Sequence, residues 1–283
     1  MKRIILLLDA INFKAQTLDF ATAIAKPANS KIVGVFLEHR QLDTRPSLKA
    51  LGGQIYIEEI IEDPAEQNSL REVAQKNIEL FKDGCTQREV CAVVHRDNGN
   101  MMENLIEETR YADLIIIDPS TSFGNDKKVP SKFALELLTK SECPVLVAPE
   151  YFEQTEEIVF AYDGSRSSVY AIKQFYYLLP QLADSKLTVL QVSEKRGHHS
   201  QKERERNLFN EWTETKFSNI SFVDLKGDAR DTLFKYFFEQ ESYFNKMLVT
   251  GAYGRNLLST FFKPSTADLL LKAVDIPIFI AHH

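Results

Sequence analysis

At 283 residues, with 44% hydrophobic and 26% charged positions, the chain is long enough to bury one large core or two ordinary ones. A formal net charge of -6 and a pI near 5.6 leave no electrostatic footprint for a phosphate backbone, so nucleic acid is excluded as an expected partner. No apolar run reaches the roughly 18 residues of a membrane span, and Met1-Lys2-Arg3 followed by Ile4 to Leu8 meets Asp9 too soon for a signal peptide. Cys85, Cys91 and Cys143 show no C-x-x-C spacing, so no disulfide framework, zinc site or other metal site is expected. The expectation is a cytoplasmic protein with no membrane contact.

The first predicted element is the apolar strand Ile4 to Leu8, ending in Asp9. A helix follows, marked by Leu18, Ala21, Ile24 and Ala25 on one face, and then a strand from Lys31 to Leu37. Between about Gln41 and Pro64 lies an insertion of roughly 20 residues relative to the corresponding place in the second half. Asp63-Pro64-Ala65-Glu66 then reads as a helix start, with Asp as N-cap, Pro at N1 and Glu at N3, ahead of Leu70, Val73 and Phe81. A strand from Cys91 to His95, a helix start at Asn100-Met101-Met102-Glu103, a strand from Leu114 to Ile117, a helix opened by Pro130-Ser131 and a strand over Pro144 to Ala148 complete the series.

After a linker at about Tyr151 to Glu157 the same order returns. Ile158 to Ala161, Tyr162 and Asp163 repeat the first strand; Ile172, Phe175, Tyr176 and Leu179 mark the helix; Lys186 to Val192 and Ile220 to Leu225 are the next two strands. Asp228-Ala229-Arg230-Asp231 starts a helix, Met247 to Thr250 is the fourth strand, Pro264-Ser265 opens a helix, and Pro277 to Ala281 closes the copy. Continuous apolar strands alternating with helices imply an α/β fold of two tandem doubly wound domains, residues 1–150 and 156–283. Each is expected to be a five-stranded parallel sheet in the order 3-2-1-4-5 with helices on both faces. Such sheets bind ligands outside the carboxyl ends of strands one and four, where strand order reverses.

At that place the second copy reads Gly251-Ala252-Tyr253-Gly254-Arg255, running on to Pro264-Ser265-Thr266. Glycines directly after a strand let backbone N–H groups approach a ligand, and a serine at a helix start adds a hydroxyl and the positive end of the dipole. Arg255, or Lys263, supplies a charge for outer phosphates. Asp163 has two compatible readings: an acceptor for an adenine amino group or ribose hydroxyl, and an Asx turn leading through Gly164-Ser165 into the helix.

The repeated five-strand pattern, the Asp163-Gly164-Ser165 start and this loop resemble the universal stress protein family in its tandem form, over essentially all of the chain. Nucleotide-binding members carry G-x-x-G, nine residues, then G-[ST]; Gly251, Gly254 and Ser265 match, while Pro264 replaces the last glycine and removes an N–H donor. The resemblance implies an adenine nucleotide, ATP foremost, with or without Mg²⁺, held by Asp163, Val192, Gly251, Gly254, Arg255, Ser265 and Thr266. Val192 enters through the family's use of backbone after the second strand to meet adenine. It also implies that the halves pair through their fifth strands as an intramolecular pseudo-dimer, with a homodimer of whole chains as a further expectation.

In the first half Asp118-Pro119-Ser120-Thr121 stands where the second has Gly251 to Gly254, so an acidic side chain occupies the first glycine position and this half is expected to act as a scaffold. No G-x-G-x-x-G, G-x-x-x-x-G-K-[ST] or G-x-S-x-G motif points to a dinucleotide enzyme, P-loop enzyme or hydrolase. The histidines form no constellation: His39 and His95 each close a strand, and His198, His199, His282 and His283 lie in a polar loop or at the end. Two readings stand: a regulatory protein binding an adenine nucleotide in its second half, with slow ATP hydrolysis at most, or a stress-linked interaction scaffold whose pocket was lost at Pro264.

Overall fold

The computed structural model describes residues 1–38, 47–51, 54–58, 64–97, 101–122, 128–193, 199–227, 232, 235–237, 245–251 and 276–281. The first half contains β1 (Arg3–Asp9), α1 (Ala15–Ala25), β2 (Lys31–Leu37), β3 (Ser47–Leu51), β4 (Gln54–Glu58), α2 (Pro64–Gln87), β5 (Ala92–Asp97), α3 (Met101–Thr109), β6 (Leu114–Ile117), α4 (Lys132–Lys140) and β7 (Val145–Val147). The second contains β8 (Glu157–Ala161), α5 (Arg166–Leu178), β9 (Lys186–Ser193), α6 (His199–Glu214), β10 (Ile220–Lys226), β11 (Lys246–Gly251) and β12 (Ile278–Ala281).

One ten-stranded sheet runs in the order β10-β9-β8-β11-β12-β7-β6-β1-β2-β5. Within each half the strands are parallel, and both halves have the order 3-2-1-4-5. The halves meet antiparallel at their fifth strands, with Ile278 opposite Val147, Phe279 opposite Leu146 and Ile280 opposite Val145. The expected pseudo-dimer contact is therefore a strand pairing, and it removes two edges that would otherwise be open.

The continuous apolar runs have the cause inferred from them: both faces of the sheet are covered. Ile4, Leu6, Leu8, Ile116, Leu146, Phe160, Val249 and Phe279 feed one core under α1, α2, α5 and α6. Their strand neighbours Ile5, Leu7, Ile115, Ile117, Val145, Val147, Val159, Leu248 and Ile280 feed a second core under α3 and α4. Phe279 meets Phe175 edge to face at 5.7 Å, and Phe20 meets Phe152 of the connecting segment at 4.8 Å. Cys85 and Cys143 are buried, which pushes each thiol up to about 11, whereas Cys91 is exposed.

Helix starts follow their capping signals. Pro64 is the first residue of α2, Ser131 accepts the N–H of Ala134 at 3.0 Å ahead of α4, and Ser165 accepts the N–H of Ser168 at 3.1 Å ahead of α5. Within the first-half insertion the structure adds a two-stranded antiparallel sheet, β3 with β4, that is not among the elements expected from sequence. Leu51 pairs with Gln54, and the two residues between them in sequence, Gly52-Gly53, are a hairpin signal. The helix signals at Asn100, Asp228 to Asp231 and Pro264-Ser265 lie outside the described residues, although α3 begins at Met101 as expected. Among the described residues no helix is long and apolar enough to cross a membrane.

Candidate functional site

In the second half the strand order β9-β8-β11 sets three carboxyl ends side by side. Val192 is the seventh residue of β9, Asp163 follows β8, and Gly251 ends β11, so the three expected site residues that fall within the described chain share one end of the sheet. The gap between β8 and β11 is the point where strand order reverses, as anticipated. Gly254, Arg255, Ser265 and Thr266, the rest of the expected phosphate loop, lie outside the described residues, as does Pro264.

The Asx-turn reading of Asp163 is met in its geometry. Its Oδ1 accepts the N–H of Ser165 at 2.8 Å, which is the Asx turn into α5, and the residue is exposed at the mouth of the crevice. The turn needs Gly164 at φ +78°, a left-handed conformation that glycine adopts without steric cost. Gly251 has a different requirement, that of close approach. A β-carbon there would lie 2.7 Å from Cβ of Ser167 and closer still to its carbonyl group, so only glycine lets the end of β11 rest on the first turn of α5.

The first half shows what happens at the same place without the glycine. Asp118 stands at the Gly251 position, and its Oδ2 is 2.7 Å from Nζ of Lys14, the N-cap residue of α1. Its Oδ1 accepts the N–H of Ser120 at 2.7 Å and the Ser120 hydroxyl at 2.6 Å, while Lys14 also donates to Ser120 Oγ at 2.7 Å. Thr17 Oγ1 lies 3.4 Å from Oδ2. Ser131, the counterpart of Ser265, is fully buried; its hydroxyl donates to the Thr121 carbonyl and accepts the Ala134 N–H. From sequence, an acidic side chain at this place is expected to repel phosphate; in the structure the carboxylate is paired with Lys14, and the Ser131 hydroxyl is bonded to the Thr121 carbonyl.

The loop after the first strand also differs between halves. Asp9 Oδ1 accepts the N–H groups of Ile11 at 2.8 Å and Asn12 at 2.9 Å, and the Ala10 N–H donates to the Leu37 carbonyl at 3.1 Å. Gly164 and Val192 occupy the positions of Ala10 and Leu37.

Two ionic clusters lie outside the crevice. His95, expected at a strand end, sits within β5 with Nδ1 3.0 Å from Glu108 Oε2, which Arg3 also reaches at 3.3 Å. At the amino ends of β8, β9 and β11, buried Glu157 takes the Thr188 hydroxyl at 2.5 Å and faces Lys186 at 3.4 Å and buried Lys246 at 3.6 Å. Burial on its own raises the Glu157 carboxyl, and the Thr188 hydroxyl with the two ammonium groups outweighs it, holding the group below the ordinary carboxylate value. Burial is also the main reason the Lys246 ammonium is pushed down. Sequence reasoning missed this cluster because its charges belong to three separate strand starts. Among the described residues no group of His, Cys, Asp and Glu is arranged to hold a metal.

No family model and no curated protein matches the sequence. Solved structures do. A universal stress protein from Archaeoglobus fulgidus DSM 4304 superposes with a TM-score of 0.65 at 13% identity, over 99% of this chain and 98% of that one. A protein assigned to the same group from Pseudomonas aeruginosa UCBPP-PA14 gives 0.60 at 16%, covering 100% and 93%. A functionally unknown protein from Pseudomonas aeruginosa PAO1 gives 0.56 at 17%, covering 100% and 92%. Along its whole length the chain therefore has the fold of the universal stress proteins, present twice and joined through the fifth strands.

Proposed function

We propose that the second half binds an adenine nucleotide, ATP foremost, and that the protein works as a nucleotide-responsive regulator. The observation that carries this reading is Gly251, kept as glycine at the switch point and pressed against the start of α5, with Asp163 at the facing strand end. A backbone that close to a helix start directs N–H groups and the helix dipole toward the same space, which suits phosphate. Gly254, Arg255, Ser265 and Thr266 would complete the phosphate contacts, and Mg²⁺ would accompany the phosphates.

For the first half, the Lys14–Asp118 plug favours the scaffold reading over a second nucleotide site. The halves are proposed to be domains of residues 1–150 and 156–283. The test is direct: protein purified without added nucleotide is denatured and chromatographed. Adenine nucleotide in the eluate, lost in Gly254→Arg and Asp163→Ala, is the expected result. No nucleotide, together with no thermal shift at millimolar ATP and Mg²⁺, would instead support an interaction scaffold throughout.

A further inference from the structure

The two halves act as mutual controls at the loop after the first strand. Asn77 on α2 and Glu205 on α6 each lie fifteen residues before the first residue of the third strand of their half. The equivalence is anchored four residues later by Phe81 and Phe209, and four later again by Cys85 and Thr213, all buried. In the first half the residue at this place is a donor. Asn77 Nδ2 reaches the carbonyls of Ala10 at 2.8 Å and Ile11 at 3.0 Å and pins the loop after Asp9.

In the second half the same place carries a carboxylate, which has no proton to give to a carbonyl. Glu205 still points at the corresponding loop: a β-carbon on Gly164 would lie 3.7 Å from its Oε2. It is exposed, and among the described residues it makes no hydrogen bond or ion pair, whereas the adjacent Arg206 turns to Asp224 at 2.8 Å. Below it, the Tyr162 ring is stacked on Phe209 with centroids 4.2 Å apart. Burial chiefly, and then the Glu205 and Asp163 carboxylates, raise the Tyr162 hydroxyl.

Glu205 lies against Gly164, the residue after Asp163, so two carboxylates border one loop; carboxylates repel phosphate and accept from neutral O–H groups, and a vicinal diol presents two such donors. In dinucleotide-binding doubly wound sheets an acidic side chain accepts from the ribose hydroxyl. We infer that Glu205 is a specificity-determining residue of the second-half crevice, accepting hydrogen bonds from the ribose hydroxyls of the nucleotide with Asp163 as the second acceptor. The phosphates then extend away from this rim toward Gly251 at the end of β11. This rests on the nucleotide reading above and adds to it the selection of a ribonucleotide by a residue of α6.

The experiment is calorimetric titration of the full chain with ATP and with 2′,3′-dideoxy-ATP, for wild type, Glu205→Gln and Glu205→Ala. Wild type is expected to prefer ATP by about tenfold or more, because a site built to bond hydroxyls rejects an analogue lacking them. Glu205→Ala should bring that ratio down toward the residual preference left by Asp163, and Glu205→Gln, whose amide oxygen still accepts, should fall between. Unchanged melting temperatures of these exposed-site variants confirm that folding is intact. Equal wild-type affinities, or a ratio that Glu205→Ala does not move, overturn the assignment while leaving nucleotide binding in place. A wild type that binds neither compound overturns both.

Discussion

A methyl group on Gly251 would meet the carbonyl of Ser167, backbone against backbone, and neither partner has a flexible end to yield. Gly251→Ala must therefore separate β11 from α5, and we expect it to destabilise the protein by about 1–3 kcal/mol and to abolish nucleotide binding. Urea unfolding and ATP titration of the same variant check both parts. The first half tolerates Asp118 at this place by a paired change, since Lys14 replaces a serine as the N-cap and neutralises the new carboxylate. Strand order and spacing placed Asp163 and Gly251 at one sheet end, and the family resemblance added Val192. It could not locate Lys14 against Asp118 or Glu205 against Gly164, because contacts between residues so far apart in sequence leave no local pattern.

At the scale of elements, strand starts carry the buried charge. Glu157 and Lys246 begin neighbouring strands, and removing one leaves the other buried without its partner. Glu157→Gln is expected to cost about 3 kcal/mol at neutral pH, and Lys246→Met on that background should recover part of the loss. The folded-state value of the Glu157 carboxyl lies below that of the unfolded chain, so its contribution is fully present above the unfolded value of about 4.3 and is lost as pH falls through the lower folded value. Wild type should lose stability on that acid limb, and Glu157→Gln should show a shallower one in urea melts taken at successive pH values. The parallel strands were legible because continuous apolar runs have few alternatives. The β3–β4 hairpin was not, since its residues sit in a charged insertion where Gly52-Gly53 was the one pointed signal.

Over the whole molecule, duplication has produced two halves with one sheet and unequal sites. The antiparallel pairing of β7 with β12 makes the halves a single structural body at the sheet's centre and leaves β5 and β10 as the outer edges. In one half Lys14 and Asp118 are paired at the crevice; in the other a glycine and two exposed acids border it. On the proposed nucleotide reading, this asymmetry sets how many nucleotides a chain should take up. The decisive measurement is the stoichiometry of ATP binding to the intact chain by calorimetry. The account predicts one nucleotide per chain, abolished by Asp163→Ala and unaffected by Lys14→Gln; two per chain, or one that survives Asp163→Ala, would contradict it.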